Sequence, residues 1–227
     1  MTNPFSNFKY YDYILLIVSI VVIVISNIIT GNTSPLLLFT TSLGVVALLI
    51  VAKGNVWGQV LCIFFCILYG IVSFQTRYYG EMITYLCMSL PMSVFSTISW
   101  IKNPSKDDET TVEIHKLTTK EKLLAVGFMI VVTWVFYFIL KYFNTMNLLV
   151  STLSITTSFA ASYLTYYRNP YYAFWYGLND VVLIILWVSA TIKDHSYFPM
   201  IICFVIFLIN DSYAFILWKI RQKKQGI

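Results

Sequence analysis

Eight apolar runs, each close to the roughly 20 residues an α-helix needs to cross a bilayer, divide this chain from one end to the other. They fall at 12–30, 35–52, 56–76, 80–101, 122–142, 147–167, 171–191 and 197–218, bounded by Gly, Asn, Pro and charged residues. Within hydrocarbon every backbone N–H and C=O must be satisfied by the protein itself, so such runs predict helices. The expected fold class is an all-α integral membrane protein with about eight transmembrane helices. Composition agrees, since 59% of the residues are hydrophobic and 11% charged, where a soluble domain carries about 25% charged residues. The longest polar stretch, 102–121, is too short to form a soluble domain of its own. Lys9 precedes the first run and no small-residue cleavage site follows it. That run therefore reads as a retained helix rather than a signal peptide.

Basic residues fix an expected orientation. With the N-terminus in the cytosol, twelve basic residues face inward: Lys9, Lys53, lysines 102, 106, 116, 120 and 122, Arg168, Lys219, Arg221, Lys223 and Lys224. Only Arg77, Lys141 and Lys193 then face outward, which places both termini in the cytosol by the positive-inside rule. The net charge of +5 thus sits at the ends of runs, not on one patch, and gives no footprint for nucleic acid.

The order of features repeats. Tyr79 to Trp100 and Tyr197 to Trp218 are both 21 residues apart, while the hinge-to-tyrosine spacings from Lys53 and Arg168 are 26 and 29. The chain accordingly divides into an N-terminal helix (1–31), a three-helix unit (32–103), a cytosolic loop (104–121), a linker helix (122–143), a second three-helix unit (144–220) and a basic tail (221–227). An odd linker gives both units the same orientation, a 3+1+3 parallel repeat of the kind transporters use to enclose a site near the midplane.

Two runs carry the same polar pair in their interiors, Asn179-Asp180 and Asn210-Asp211. An intramembrane carboxylate costs roughly 2.5–3.5 kcal/mol on insertion scales, so it marks a functional site unless it merely bonds a neighbouring helix. Helical spacing sets Tyr176 on the face of Asp180 and Trp175 beside Asn179, and aligns Tyr85, Ser89 and Ser93 as a polar stripe next to Pro91. Gln59 and Tyr69 add an amide and a ring on the third run. Rings that stack with amides and carboxylates that hydrogen-bond suit a planar heteroaromatic solute bearing a sugar.

Other residues read as structural. Trp57, Trp100 and Trp218 near run ends, with Tyr78, Tyr79 and Tyr197, fit an interfacial aromatic belt. The small residues of 151–158 fit close helix packing, and Glu81 fits a helix-dipole partner. The four cysteines, Cys62, Cys66, Cys87 and Cys203, lie inside apolar runs without disulfide or metal spacing, and His115 and His195 lack acid–base neighbours. No GxxxxGK[ST], HExxH or GxSxG occurs, so no metal, cofactor or catalytic residue is expected.

The stretch Val51-Ala52-Lys53-Gly54, then Tyr78-Tyr79-Gly80-Glu81, Leu90-Pro91-Met92 and Trp100 resembles the first half of the PnuC family of vitamin-nucleoside transporters. Leu178 to Ile184 with Asn210-Asp211-Ser212-Tyr213 and Trp218 resembles the second half. The resemblance implies a SWEET-like fold and a homotrimer. It further implies uptake of nicotinamide riboside by facilitated diffusion at a bacterial plasma membrane, trapped by a cytosolic riboside kinase. The implied substrate contacts are Asn179, Asp180, Asn210, Asp211, Trp175, Tyr176, Tyr69, Tyr85, Ser89 and Ser93. Members often carry Trp-x-x-Trp before the Asn/Asp position, where this chain has Ala173 and Tyr176, or Tyr172 and Trp175 if Asn179 is the anchor. Thiamine or another B vitamin is the alternative cargo, and an intramembrane enzyme using Asp180 and Asp211 the alternative of another class.

Overall fold

The computed structural model describes residues 3–31, 34–76, 78–106, 108–145 and 147–226. Arg77, one of the basic residues assigned to the outward side, lies outside them. The described residues form nine α-helices: α1 Tyr10–Ile29, α2 Pro35–Ala52, α3 Val56–Gln75, α4 Tyr79–Thr84, α5 Leu90–Lys102, α6 Thr119–Tyr142, α7 Leu148–Tyr166, α8 Tyr171–Thr191 and α9 Phe198–Lys224. A π-helical turn, Tyr85–Ser89, joins α4 to α5 into one span, so eight spans are long and apolar enough to cross a membrane. Pro91 stands at the start of α5 and has no N–H to give the preceding turn, and a π turn is one way a helix absorbs that loss.

Local chemistry sets the ends. Ser34 caps α2 by accepting from Leu37 N–H, with Pro35 in the first turn, and Thr118 with Glu121 forms a reciprocal capping box at α6. The turns after α2 and α7 are built alike. Gly54 and Arg168 both take positive φ (73° and 55°), and Asn55 and Asn169 each follow and accept from the N–H two residues on.

Six spans close into a ring. α3 packs against α2 and α5, α8 packs against α7 and α9, and the circle is completed where α2 meets α9 and α5 meets α7. The first helix of each triplet therefore touches the third helix of the other. α6 packs mainly on α7 and turns most of its apolar surface outward, with Leu123, Ile130 and Trp134 more than 60% exposed. α1 packs on α2 and α9 outside the ring.

The charged loop is not a free linker. Val112 and Ile114 are buried at the end of the bundle where both termini lie. Val112 N–H donates to Gly54 C=O, Arg221 donates to Val112 C=O at 2.7 Å, and Arg168 Nε donates to Glu113 C=O at 3.0 Å. Asn7 donates to Asp108 at 3.0 Å. Partial burial works the other way, but hydrogen bonds from Thr110 and Asn7 hold the Asp108 carboxyl below the usual carboxylate range. α1 is fastened at the same end: Asp12, fully buried, pairs with Lys53 at 2.6 Å, and Tyr213 of α9 donates its hydroxyl to the same carboxylate.

Candidate functional site

The ring encloses a void of about 80 Å³ lined by residues of all six of its spans. Gly44 comes from α2, Gln59, Cys62, Phe65 and Cys66 from α3, Tyr85, Ser89 and Ser93 from the π turn and α5, Ser158 from α7, Tyr172, Tyr176, Asn179 and Asp180 from α8, and Phe204, Phe207 and Asp211 from α9. Ligand pockets usually measure about 300–1,000 Å³, so the ring is closed around a space smaller than an ordinary ligand site.

The lining pairs across the two triplets. The sequence offset that carries Gly54 onto Arg168 also carries Gly44 onto Ser158, Cys62 onto Tyr176, Phe65 onto Asn179 and Cys66 onto Asp180, and all eight line the void. The offset that carries Trp100 onto Trp218 carries Ser89 onto Phe207 and Ser93 onto Asp211, again lining residues. Matching positions therefore face the same space with different chemistry. Both lining thiols, Cys62 and Cys66, come from the first triplet, and both lining carboxylates, Asp180 and Asp211, from the second.

Asp180 and Asp211 face each other within hydrogen-bonding reach, and Asp180 Oδ2 is buried without a partner. Asn179 is oriented by α7, since its side-chain oxygen accepts from Ser154 at 3.1 Å and Thr157 at 2.9 Å. The amide NH₂ donates no hydrogen bond to the described residues. The small residues of 151–158 thus do more than allow close approach: two of them aim the amide and Ser158 reaches the void itself. Tyr176 shares a hydrogen bond with Ser162 at 3.0 Å.

Of the ten site residues expected from sequence, seven line this void: Asn179, Asp180, Asp211, Tyr176, Tyr85, Ser89 and Ser93. Tyr69 lies behind them, fully buried, with its ring 4.3 Å from that of Tyr85. Asn210 is buried with both amide atoms unpartnered and is not a lining residue, and Trp175 is half-buried beside Phe174. Cys62, Phe65, Cys66, Tyr172, Phe204 and Phe207 were missed as lining residues. For Cys62, Phe65 and Cys66 the signal was available, because aligning Gly54-Asn55 with Arg168-Asn169 places them opposite Tyr176, Asn179 and Asp180.

Aromatic layers close both ends. Toward the termini, Trp100 and Trp218 are fully buried with ring centroids 5.6 Å apart, and Tyr172 packs on Trp218 at 5.0 Å. These two tryptophans are not belt anchors. Trp100 Nε1 donates to Thr165 C=O at 2.9 Å and Trp218 Nε1 to Val51 C=O at 3.3 Å, each carbonyl one residue from the end of the other triplet's first helix. An indole N–H inside a bundle needs an acceptor, and a carbonyl in the last turn of the facing helix supplies it. At the opposite end Tyr78, Trp187 and Tyr197 pack together with centroids 4.7–5.7 Å apart, so Tyr78 and Tyr197 belong to the closure rather than to a belt.

A family model described as nicotinamide mononucleotide transporter matches residues 34–220. The chain belongs to this family. The match begins at the cap of α2 and ends near the foot of α9, so it takes in the whole ring and leaves α1 outside. The nicotinamide riboside transporter PnuC of Neisseria mucosa is 25% identical over 189 residues, covering 81% of this chain and 72% of that protein. A crystal structure described as the vitamin B3 transporter PnuC superposes with a TM-score of 0.83 at 22% identity, over 97% of this chain and 95% of that one. That likeness establishes the fold of a PnuC transporter, including α1, for the chain as a whole.

Proposed function

We propose that this PnuC-family protein carries nicotinamide riboside across the bacterial plasma membrane by facilitated diffusion, with a cytosolic riboside kinase trapping the product. The observation that carries the reading is the charge of the void. Two carboxylates line it, and no Lys, Arg or His is among its lining residues. Nicotinamide riboside bears a fixed positive charge on its pyridinium ring, an amide and a ribose. Asp180 and Asp211 would offset the charge, the Asn179 NH₂ would bind the amide oxygen, and Ser89, Ser93 and Ser158 would bind ribose hydroxyls. Tyr85, Tyr172 and Tyr176 would stack on the ring, taking the place of the missing tryptophan pair. Asn210, Tyr69 and Trp175 would act behind this shell.

The triplets 32–103 and 144–220 would rock about the void, parting first one aromatic layer and then the other. The distribution of basic residues supports cytosolic termini, which makes Trp100–Trp218 the inner closure and Tyr78–Trp187–Tyr197 the outer one. The outward apolar face of α6 is suited to a homotrimer contact or to lipid.

A second reading, thiamine, draws on the same observation, because its thiazolium is also an aromatic cation. Uncharged riboflavin gains nothing from the two aspartates. The test is uptake of labelled nicotinamide riboside into liposomes holding the purified protein, competed by thiamine and by riboflavin. Wild type should take up the label and Asp180→Asn should lose at least tenfold of that rate while remaining folded. Unchanged uptake by the variant, or stronger competition by thiamine than by unlabelled substrate, would overturn the assignment.

A further inference from the structure

Among the described residues, ten buried side-chain polar atoms lack a hydrogen-bond partner, and five of them meet in one corner at the end of the bundle opposite the termini: Glu81 Oε2, Tyr69 OH, Ser73 Oγ, Trp187 Nε1 and Thr145 Oγ1. Glu81 sits in the first turn of α4 and is 3% exposed, yet among the described residues no cation lies within ion-pair distance of it. Tyr69 OH lies beside the Trp187 and Ser73 groups and within electrostatic reach of Glu81. The corner opens on a second cavity of about 230 Å³ to which Glu81, Tyr78, Thr145 and Tyr197 contribute. Lys193 and Asp194 also line that cavity but are exposed, and Asp194 caps Ser196 N–H, so the rim is balanced and the floor is acidic.

An acid placed in a low-dielectric wall without a partner needs a counter-charge to be useful as an anion. The rings of Tyr78 and Tyr197, which line the same cavity, favour a flat organic cation over a bare metal ion. We propose that Glu81 and this corner form a loading subsite for the solute's aromatic cation, occupied before the solute passes the Tyr69–Tyr85 pair to reach Asp180 and Asp211. Tyr85 is the physical link, since it lies within electrostatic reach of both Glu81 and Asp180. Thr145 Oγ1, unpartnered and on the wall of the same cavity, would bind the amide or a ribose hydroxyl. The identity of the cation as nicotinamide riboside rests on the function proposed above, whereas the preference for positive charge stands on the corner itself.

The test compares initial uptake of nicotinamide riboside with that of its reduced dihydropyridine form, which has the same shape and no charge, after subtraction of protein-free liposomes. Glu81→Gln should raise KM for the cation at least about tenfold, the range expected when a buried charge loses its counterpart, and change KM for the neutral form less than threefold. Glu81→Asp should fall between. Equal losses for both solutes, or no change for either, would make Glu81 a neutral core group and end the proposal. A Na⁺ requirement in wild type that Glu81→Gln abolishes would make the occupant an inorganic ion and also end it. Titration of detergent-purified protein with 1-methylnicotinamide and with nicotinamide separates the two readings. Wild type that carries no nicotinamide riboside refutes the uptake reading. The subsite stands if Glu81→Gln weakens only the methylated cation, and falls if both ligands bind the variant as they bind wild type.

Discussion

Asp12, Lys53 and Tyr213 make one buried polar junction from three parts of the chain that lie far apart in sequence. At 2.6 Å the gross attraction between the two charges is about 6 kcal/mol at an effective dielectric of 20. Most of that is offset by removing both groups from water, so the net worth of the pair is small. Removing one partner is a different matter, because the other stays buried and uncompensated, at a cost of about 3–5 kcal/mol. Asp12→Asn deletes the charge and keeps one of the two accepting oxygens, since Lys9 N–H donates to Oδ2 and the Tyr213 hydroxyl to Oδ1. It should lower stability by about 3 kcal/mol, or roughly 6–12 °C for a chain of this size. Lys53→Met should cost a similar amount, since Asp12 is fully buried and keeps only the Tyr213 hydroxyl and the Lys9 amide. The double variant should cost less than the sum of the singles by about 2 kcal/mol or more. The measurement is thermal or denaturant unfolding of the purified protein in detergent, followed by circular dichroism. Additive singles, or an Asp12→Asn loss below about 1 kcal/mol, would show that α1 is held by apolar packing alone and would refute the reasoning.

Trp100→Phe and Trp218→Phe should each destabilise by about 0.5–1.5 kcal/mol, the net worth of one lost indole hydrogen bond, since Thr165 C=O keeps the Arg168 N–H at 2.9 Å and Val51 C=O keeps the Gly54 N–H at 2.8 Å. The loss should be larger at Trp100, whose bond is shorter, and near zero for the control Trp134→Phe, which is 64% exposed. Arg168→Gly relieves a left-handed backbone worth about 1–2 kcal/mol but removes donors to Glu113 C=O and to Ser99 Oγ at 2.6 Å. Unfolding should therefore show a net loss of about 1–2 kcal/mol, and a gain would mean that the guanidinium contributes nothing at this turn.

Hydropathy and run length settled the eight spans and most of their bounds to within three residues, though α9 runs on to Lys224, six residues past its apolar run and into the expected basic tail. Crossing a bilayer is a local requirement that each run meets by itself. The same is true of the Asn-Asp pairs, which are conspicuous because hydrocarbon makes them costly wherever they point. Direction is another matter. Asp211 faces the void and Asn210, one residue and about 100° away on the helix, does not, and only the neighbouring helices determine which of the two is turned inward. Trp100 and Trp218 sit at run ends as belt residues do, yet each finds its acceptor on a helix from the other triplet. Tyr85, Ser89 and Ser93 were aligned on an ideal helix, and a π turn intervenes while leaving all three on the void. Asp12 opens an otherwise ordinary apolar run, and its partners are distant in sequence. A chain records what each segment requires of the membrane. What those segments require of one another is fixed only when six of them close a ring.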